Sequence, residues 1–458
     1  MRIRGVLVWV VVAVAACLGI MLTLAQQRVG APPTVSIEPG LPAIGRSTPV
    51  KVVVEEAGRG LSGLLIELVQ EGHAVQLAQE QHAPRPFWAF WGPRVDRREF
   101  EVAVGRNQQD WIKEGEATIQ VTAARASTWL HHPDPVVVQK TLPVRLRPPA
   151  LAKLSTAVYA AQGGSEVVVY QVGASAQKHG VQAGDWWFPG YPLPGGTQGQ
   201  FFSLFAVPYD VANADRVRLI ASDEIGNTAS VPIVDRFFPR PIRNETIEVS
   251  DAFLNRVVPA ILAETPEIKE SGDLLRDYLT INGDLRRRNG QILIDLGRKS
   301  EPVFLWTKTF LQMPNSKVMS SFADHRTYTY QGRVIDQQDH LGFDLASTQQ
   351  TPIPSANDGV VVLARYLGIY GNAVIIDHGY GLMSLYGHLS TIDVKEGSKV
   401  ARGDIVGRSG VTGLAGGDHL HFSMLVQGLP VTPVEWWDPH WIKDRLKKKL
   451  GDALPFTE

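Results

Sequence analysis

Residues Val6 to Ala25 form an almost purely apolar run with no charge in it, directly behind Met1-Arg2-Ile3-Arg4. As a helix at ~1.5 Å per residue, a run of about twenty residues reaches across a ~30 Å hydrocarbon core, whereas the apolar region of a cleaved signal is ~7–15 residues long. Arg2 and Arg4 favour the cytoplasmic side. The segment therefore predicts a cytoplasmic tip and single-pass transmembrane anchor over residues 1–29, with everything after Gln26 outside the cytoplasm.

A cleaved signal peptide remains an alternative. So does a lipoprotein, because Val14-Ala15-Ala16-Cys17 has the form of a lipid-attachment box, although the residues after Cys17 stay apolar or small. All three readings export the chain and differ only in how it is tethered; in the anchor reading the N-terminal helix makes a membrane its first partner. Cys17 is the only cysteine of the 458 residues. An internal disulfide, a cysteine zinc finger and an iron–sulfur cluster are thereby excluded, so any metal site must use imidazole and carboxylate. With 45 basic against 46 acidic residues, the chain also lacks the basic field of a nucleic-acid binder.

The chain reads as mainly β. Short strands such as Val50 to Val54, Leu64 to Val69 and Ala117 to Val121 alternate with Pro/Gly/Ser turns over residues 30–148, which predicts a β-sandwich module. Residues 149–240 repeat the rhythm. There, Ala221 to Asn227 followed by Val231-Pro232-Ile233 resembles the last hairpin of bacterial immunoglobulin-like domains, so two such modules are expected. Over 241–300 the period changes to that of helices. Ser250-Asp251 caps a first helix, which Pro259 is expected to kink or stop. A second amphipathic stretch runs from Asp273 to Arg288, with Arg286-Arg287-Arg288 read as a solvated end of a helical spacer. Residues 301–458 form the last domain.

Seven of the twelve histidines fall between 325 and 440, about a quarter of the chain, so the chemistry is sought there. His340-Leu-Gly-Phe-Asp344 and His419-Leu-His421 flank a third group, Tyr386-Gly387-His388. Imidazoles and a carboxylate suit zinc when thiolates are absent, and a catalytic zinc takes three protein ligands and leaves one position open. His419 and His421 share one strand face, while His340 and Asp344 lie ~13 Å apart on a straight strand at ~3.3 Å per residue. A bend at Gly342 would bring them together. His325, His378 and His440 read as surface or packing residues.

The stretch 308–436 resembles the LytM/lysostaphin-type zinc metalloendopeptidases, exported enzymes that cut peptide bonds in peptidoglycan. The likeness is carried by Pro314 to Phe322, His340-Leu-Gly-Phe-Asp344, Asp358-Gly359-Val360, Leu385-Tyr386-Gly387-His388, Gly403-Asp404-Ile405-Val406-Gly407, Gly410-Val-Thr-Gly413 and His419-Leu-His421-Phe. The sequence departs from the pattern at Ala323-Asp324, where the family has a glycine shortly before an arginine, which implies a reshaped rim loop. Val394 to Gly407 also resembles a biotinyl-type hairpin, but Lys399 lacks the carrier's context, so the stretch belongs to the peptidase.

The resemblance implies a C-terminal antiparallel β domain with an open groove and one zinc ion. It places the ligands on His340, Asp344 and His421 and the two non-ligand active-site histidines on His388 and His419. One of that pair would take the water proton and the other would bind the oxyanion. A non-enzymatic wall-binding or activator protein of the same fold, or a metallopeptidase of exported proteins, are the competing readings. Upstream modules would position the enzyme at the wall or cover its groove, and regulatory protein partners are open.

Overall fold

The computed structural model describes residues 2–241 and 243–458, without the side chains of residues 2–5. The charged tip expected at Met1, Arg2 and Arg4 thus lies outside the described side chains. The chain divides into two compact units, one of residues 1–148 with 222–227, the other of 149–221 with 228–458.

The first unit begins with the helix Arg2–Gln26, apolar and long enough to cross a membrane over Val6–Gln26, where mean hydropathy is 2.7. It continues as two antiparallel sheets. One orders Thr34–Pro39, Thr48–Glu55 and Arg97–Val104, and the other His73–Gln81, Leu61–Gln70, Gly115–Arg125 and Val136–Val144. Period-two alternation sends Val50, Val52 and Val54 from the first sheet, and Leu64, Ile66, Leu68, Ile119 and Val121 from the second, into one shared core. This is a β-sandwich.

In the second unit, residues 149–221 and 228–240 form two four-stranded sheets and a parallel pair of Tyr159–Ala161 with Arg236–Phe238. The core of this module runs without interruption into the C-terminal domain: Phe202 stacks near Phe304 at 5.8 Å and meets Tyr380 edge-on at 4.9 Å. The C-terminal domain is built on an eight-stranded antiparallel sheet. Its path runs Lys317–Ser320, Phe343–Ala346, Leu420–Val426, Leu382–Leu389, Asn372–Gly379, Gly359–Tyr366, Lys399–Val400, with Leu429–Val431 paired beside Leu420–Val426. The biotinyl-like stretch contributes Lys399–Val400 to this sheet and Ile405–Arg408 to a small adjoining one.

The segment expected as a helical spacer departs from that picture in three ways. It contains a strand, Asn244–Glu248, which pairs in parallel with Asp324–Tyr330 of the C-terminal domain. Ser250 caps the helix Asp251–Glu264 as expected, by accepting the Phe253 N–H at 3.2 Å, but the helix does not stop at Pro259. Burial of Leu254, Val257, Val258 and Ile261 offsets the one backbone bond that proline removes. The Arg286-Arg287-Arg288 run is no helix end either. A π-helical turn at Ile281–Leu285 joins Leu274–Thr280 to Arg286–Gly297, so the three arginines stand mid-helix, and Arg286 is half-buried and bonded to Asn282.

Buried charge marks the seam between module and C-terminal domain. Lys449 and Glu166 approach to 2.6 Å, and the Ser165 N–H donates to Glu435 Oε2 at 2.7 Å. Burial, and then the charge of Glu166, push the Glu435 carboxyl up to about 8 against its bond from Ser165 and the nearby arginines. An acid raised in this way holds a proton in the folded state that the unfolded chain releases. Its contribution to stability is therefore full below the ordinary carboxyl range and falls as pH rises toward about 8, by up to ~1.4 kcal/mol per pH unit. Glu435→Gln should remove that slope, so that denaturant unfolding shows the variant gaining on the native chain between about pH 5 and 8. Superimposable pH profiles would contradict this.

Candidate active site

Three neighbouring strands set the site. Asp344 pairs with His421 across one strand boundary, and Gly387 pairs with His421 across the next, so His388 arrives alongside. His340 ends the strand Arg333–His340, and Leu341-Gly342 turn the chain into Phe343–Ala346. A Cβ on Gly342 would lie 2.5 Å from His421 Nε2 and 2.6 Å from Ser423 Oγ, so this bend admits only glycine. The bend carries His340 Nε2 to 2.9 Å from Asp344 Oδ1 and 3.1 Å from His421 Nδ1, and His421 Nδ1 to 3.1 Å from Asp344 Oδ1. All three residues are buried.

The protons of this cluster are held elsewhere. His340 donates Nδ1–H to the Ser321 carbonyl at 2.9 Å, which leaves the Nε2 lone pair facing inward. The Ser423 hydroxyl donates to the Leu341 carbonyl at 2.8 Å, so it accepts His421 Nε2–H at 3.0 Å and leaves the Nδ1 lone pair facing inward. Two lone pairs and a carboxylate oxygen thus converge without a hydrogen to share. Such an arrangement repels itself unless a cation sits among the three atoms, and this is the donor set a divalent metal takes.

Burial alone would raise the Asp344 carboxyl, but the imidazoles around it, His340 first and then His419 and His421, hold it well below the usual carboxylate range. Its other oxygen accepts from the Arg326 guanidinium at 3.0 Å. Burial works against the Arg326 charge, and Asp344 outweighs it. Burial carries His421 down to about 4.

His388 and His419 flank the cluster, with their rings 4.8 Å apart. Each donates Nδ1–H to a backbone carbonyl at 2.8 Å, Thr412 for His388 and Gly417 for His419, which leaves Nε2 to transfer protons, and that of His419 lies 3.4 Å from Asp344 Oδ1. His388 adopts a left-handed φ of 63° at a register shift in its strand, a strained conformation that re-aims its ring. Burial, then the neighbouring histidine charges, hold His388 well below its usual range. Burial also opposes the charged form of His419, but a bond to Asp344 and its charge raise it.

The other three histidines stay apart from the site. His325 pairs with Asp339, and His440 is exposed. His378 lies in the core between the Asp358 carbonyl and Ser384 Oγ, pulled to about 4 by burial.

A cleft of about 370 Å³ opens over the cluster, walled by Phe253, Tyr278, Arg326, Tyr328, Tyr370 and Leu414. A second, of about 380 Å³, also touches His340 and His421 and is lined by Trp186, Tyr209 and Arg286. Residues upstream of 301 therefore form walls of the cleft. At the departure Ala323-Asp324, the Asp324 carboxylate ties the rim by accepting the Ser321 N–H at 2.8 Å, which in turn holds the carbonyl that receives His340.

The profile described as peptidase family M23 matches residues 338–433, the stretch that contains all five of these side chains. Residues 338–433 are a peptidase family M23 domain. Peptidoglycan DD-endopeptidase ShyA of Vibrio cholerae is 30% identical to the chain over 245 residues, 53% of this chain and 52% of that protein. DD-carboxypeptidase/endopeptidase Mpg of Neisseria meningitidis is 43% identical over 95 residues, 21% of this chain and 22% of its own. The chain spans about half the length of the first relative and about a fifth of the second. A solved peptidase M23 structure from Pseudomonas aeruginosa is 20% identical and covers 60% of this chain and 94% of that one, with a TM-score of 0.37.

Arg326 and Ser423 escape the sequence motifs of the M23 domain. Ser423 was detectable, because it stands two residues after His421 on the same strand face. Arg326 carries no such signal, since only strand pairing brings it to Asp344. Ser423→Ala strips the acceptor from His421 Nε2–H, and competition against a chelator should show divalent-metal affinity lowered by about 10–100-fold. An unchanged affinity would remove Ser423 from this role.

Proposed function

We propose that this chain is a zinc-dependent endopeptidase that hydrolyses peptide bonds in peptidoglycan, held at the membrane by its N-terminal helix with the bulk of the chain in the periplasm. The observation that carries the reading is the convergence of His340 Nε2, His421 Nδ1 and Asp344 Oδ1, with their protons fixed outward and two further histidines beside them. The names of the relatives support peptidoglycan as the substrate and a D,D peptide cross-link as the bond to test first. The apolar helix supports the anchor.

His340, Asp344 and His421 would hold one zinc ion. When bound, zinc supplies Lewis-acid activation of a water and of the scissile carbonyl. The protein divides the proton tasks between His388 and His419. One Nε2 accepts the proton of the attacking water, and the other, protonated, donates to the oxyanion of the tetrahedral intermediate. The carbonyls of Thr412 and Gly417 keep both rings turned so that Nε2 does this work. Arg326 holds the second oxygen of Asp344, which keeps the carboxylate ionised and aimed at the cluster.

Incubating the full chain with purified peptidoglycan and weighing the released fragments tests the reading and identifies the bond. His340→Ala should lose both zinc and turnover. His388→Ala and His419→Ala should keep zinc while turnover falls by about 10²–10⁴-fold. Undiminished lysis by the His340 variant would show that the site lies elsewhere.

A further inference from the structure

The first unit exposes large aromatic side chains at one place only among its described loops, and that place adjoins the end of the apolar helix. Trp88, Phe90, Trp91, Trp129 and Leu130 are each between 61% and 79% exposed, on the loops 82–96 and 126–135. Both loops are fastened to the end of the helix, at its last residue Gln26 or at Arg28 just beyond it. The Gln26 carbonyl accepts the Thr128 hydroxyl at 2.7 Å, and Gln26 Oε1 accepts the Trp129 N–H at 2.9 Å. The buried Arg59 guanidinium donates to the carbonyls of Arg28, Arg85 and Ser127 at 2.9, 2.6 and 3.0 Å, tying helix end and both loops into one knot. Arg28 donates to the Phe87 carbonyl at 3.0 Å and lies over the Phe90 ring at 3.9 Å, and Phe87 meets Trp129 edge-on at 5.7 Å.

This platform is stiff, since Pro84, Pro86 and Pro93 fix φ along the first loop. Its apolar side chains are nevertheless turned outward. A soluble surface rarely shows so many large apolar groups together, and those that do are used for contact. Trp and Phe with nearby cationic groups match the headgroup level of a bilayer, where an amphipathic indole meets both apolar chains and polar heads. The 21 apolar residues Val6–Gln26 end at that level, about 31 Å along a helix from their start.

We propose that loops 82–96 and 126–135 are a membrane seat, in which Trp88, Phe90, Trp91, Trp129 and Leu130 enter the headgroup region of the bilayer that the helix Arg2–Gln26 crosses. The inference rests on the reading of that helix as a membrane span. It gives the first module a fixed stance on the lipid surface, with the hairpin turn at Glu71-Gly72, at the opposite end of its sandwich, pointing away.

Spin labels on the full chain in phosphatidylethanolamine/phosphatidylglycerol vesicles test the seat separately from the span. The native Cys17 reports the helix. In a Cys17→Ala background, Trp91→Cys and Trp129→Cys report the loops and Ala74→Cys the far end. Power saturation with oxygen and a water-soluble nickel chelate should place the Cys17 label deep in the bilayer and the Ala74 label in water. The labels at 91 and 129 should lie at headgroup depth, with nickel collisions severalfold below those at 74 and oxygen collisions above. A deep Cys17 label with 91 and 129 as nickel-accessible as 74 would overturn the seat and leave the span standing. Labels at 91 and 129 shielded from both reagents would replace the lipid with a protein partner. An aqueous Cys17 label would overturn span and seat together.

Discussion

Two hydrogen bonds that point away from the site decide what it is. The Ser321 carbonyl holds the proton of His340 at Nδ1, and Ser423 holds that of His421 at Nε2. With those protons removed from the centre, His340 Nε2, His421 Nδ1 and Asp344 Oδ1 can present only lone pairs to one another at 2.9 to 3.1 Å. Such a trio is costly without a cation and well made with one. Arg326 completes the arrangement by pairing with the far oxygen of Asp344, which balances the buried carboxylate's charge.

The sheet exists, from the viewpoint of the site, to hold these partners in register. Asp344, His421 and Gly387 are cross-strand neighbours on three adjacent strands, so a slip of one residue would turn their side chains to the opposite face. Glycine at 342 lets His340 fold back onto that row, and the left-handed φ of His388 brings a fourth imidazole beside it. The strand Asn244–Glu248 braces the hairpin that carries Arg326 and ends in His340. The segment ahead of the M23 domain therefore shapes the candidate metal site as well as walling its cleft.

The convergence of the histidines with Asp344 into one candidate site was legible because their spacing is local and metal chemistry would need those types. Gly342 was legible as well, because only a bend could reconcile four residues of strand with one chelate. Arg326 was not, since its role comes from the register of the hairpin Asp324–Tyr330 with Arg333–His340, which no motif marks. The same blindness hid the strand Asn244–Glu248, four of whose five residues are polar and which gains its regularity from a parallel partner about eighty residues on. Pro259 misled in part: the local rule allowed a kink or an end, and the buried Val257, Val258 and Ile261 carried the helix through. The aromatic loops beside Gln26 look like ordinary turns in sequence, and only their shared attachment to Arg59 makes a surface of them.

Native mass spectrometry of the full chain, paired with turnover on purified peptidoglycan through a cycle of chelation and zinc return, tests the central claim most directly. One zinc per chain should leave and come back, with turnover vanishing and returning in the same proportion. Full turnover by the metal-free chain, or a chain that takes up no zinc while its fold is intact, would contradict the account.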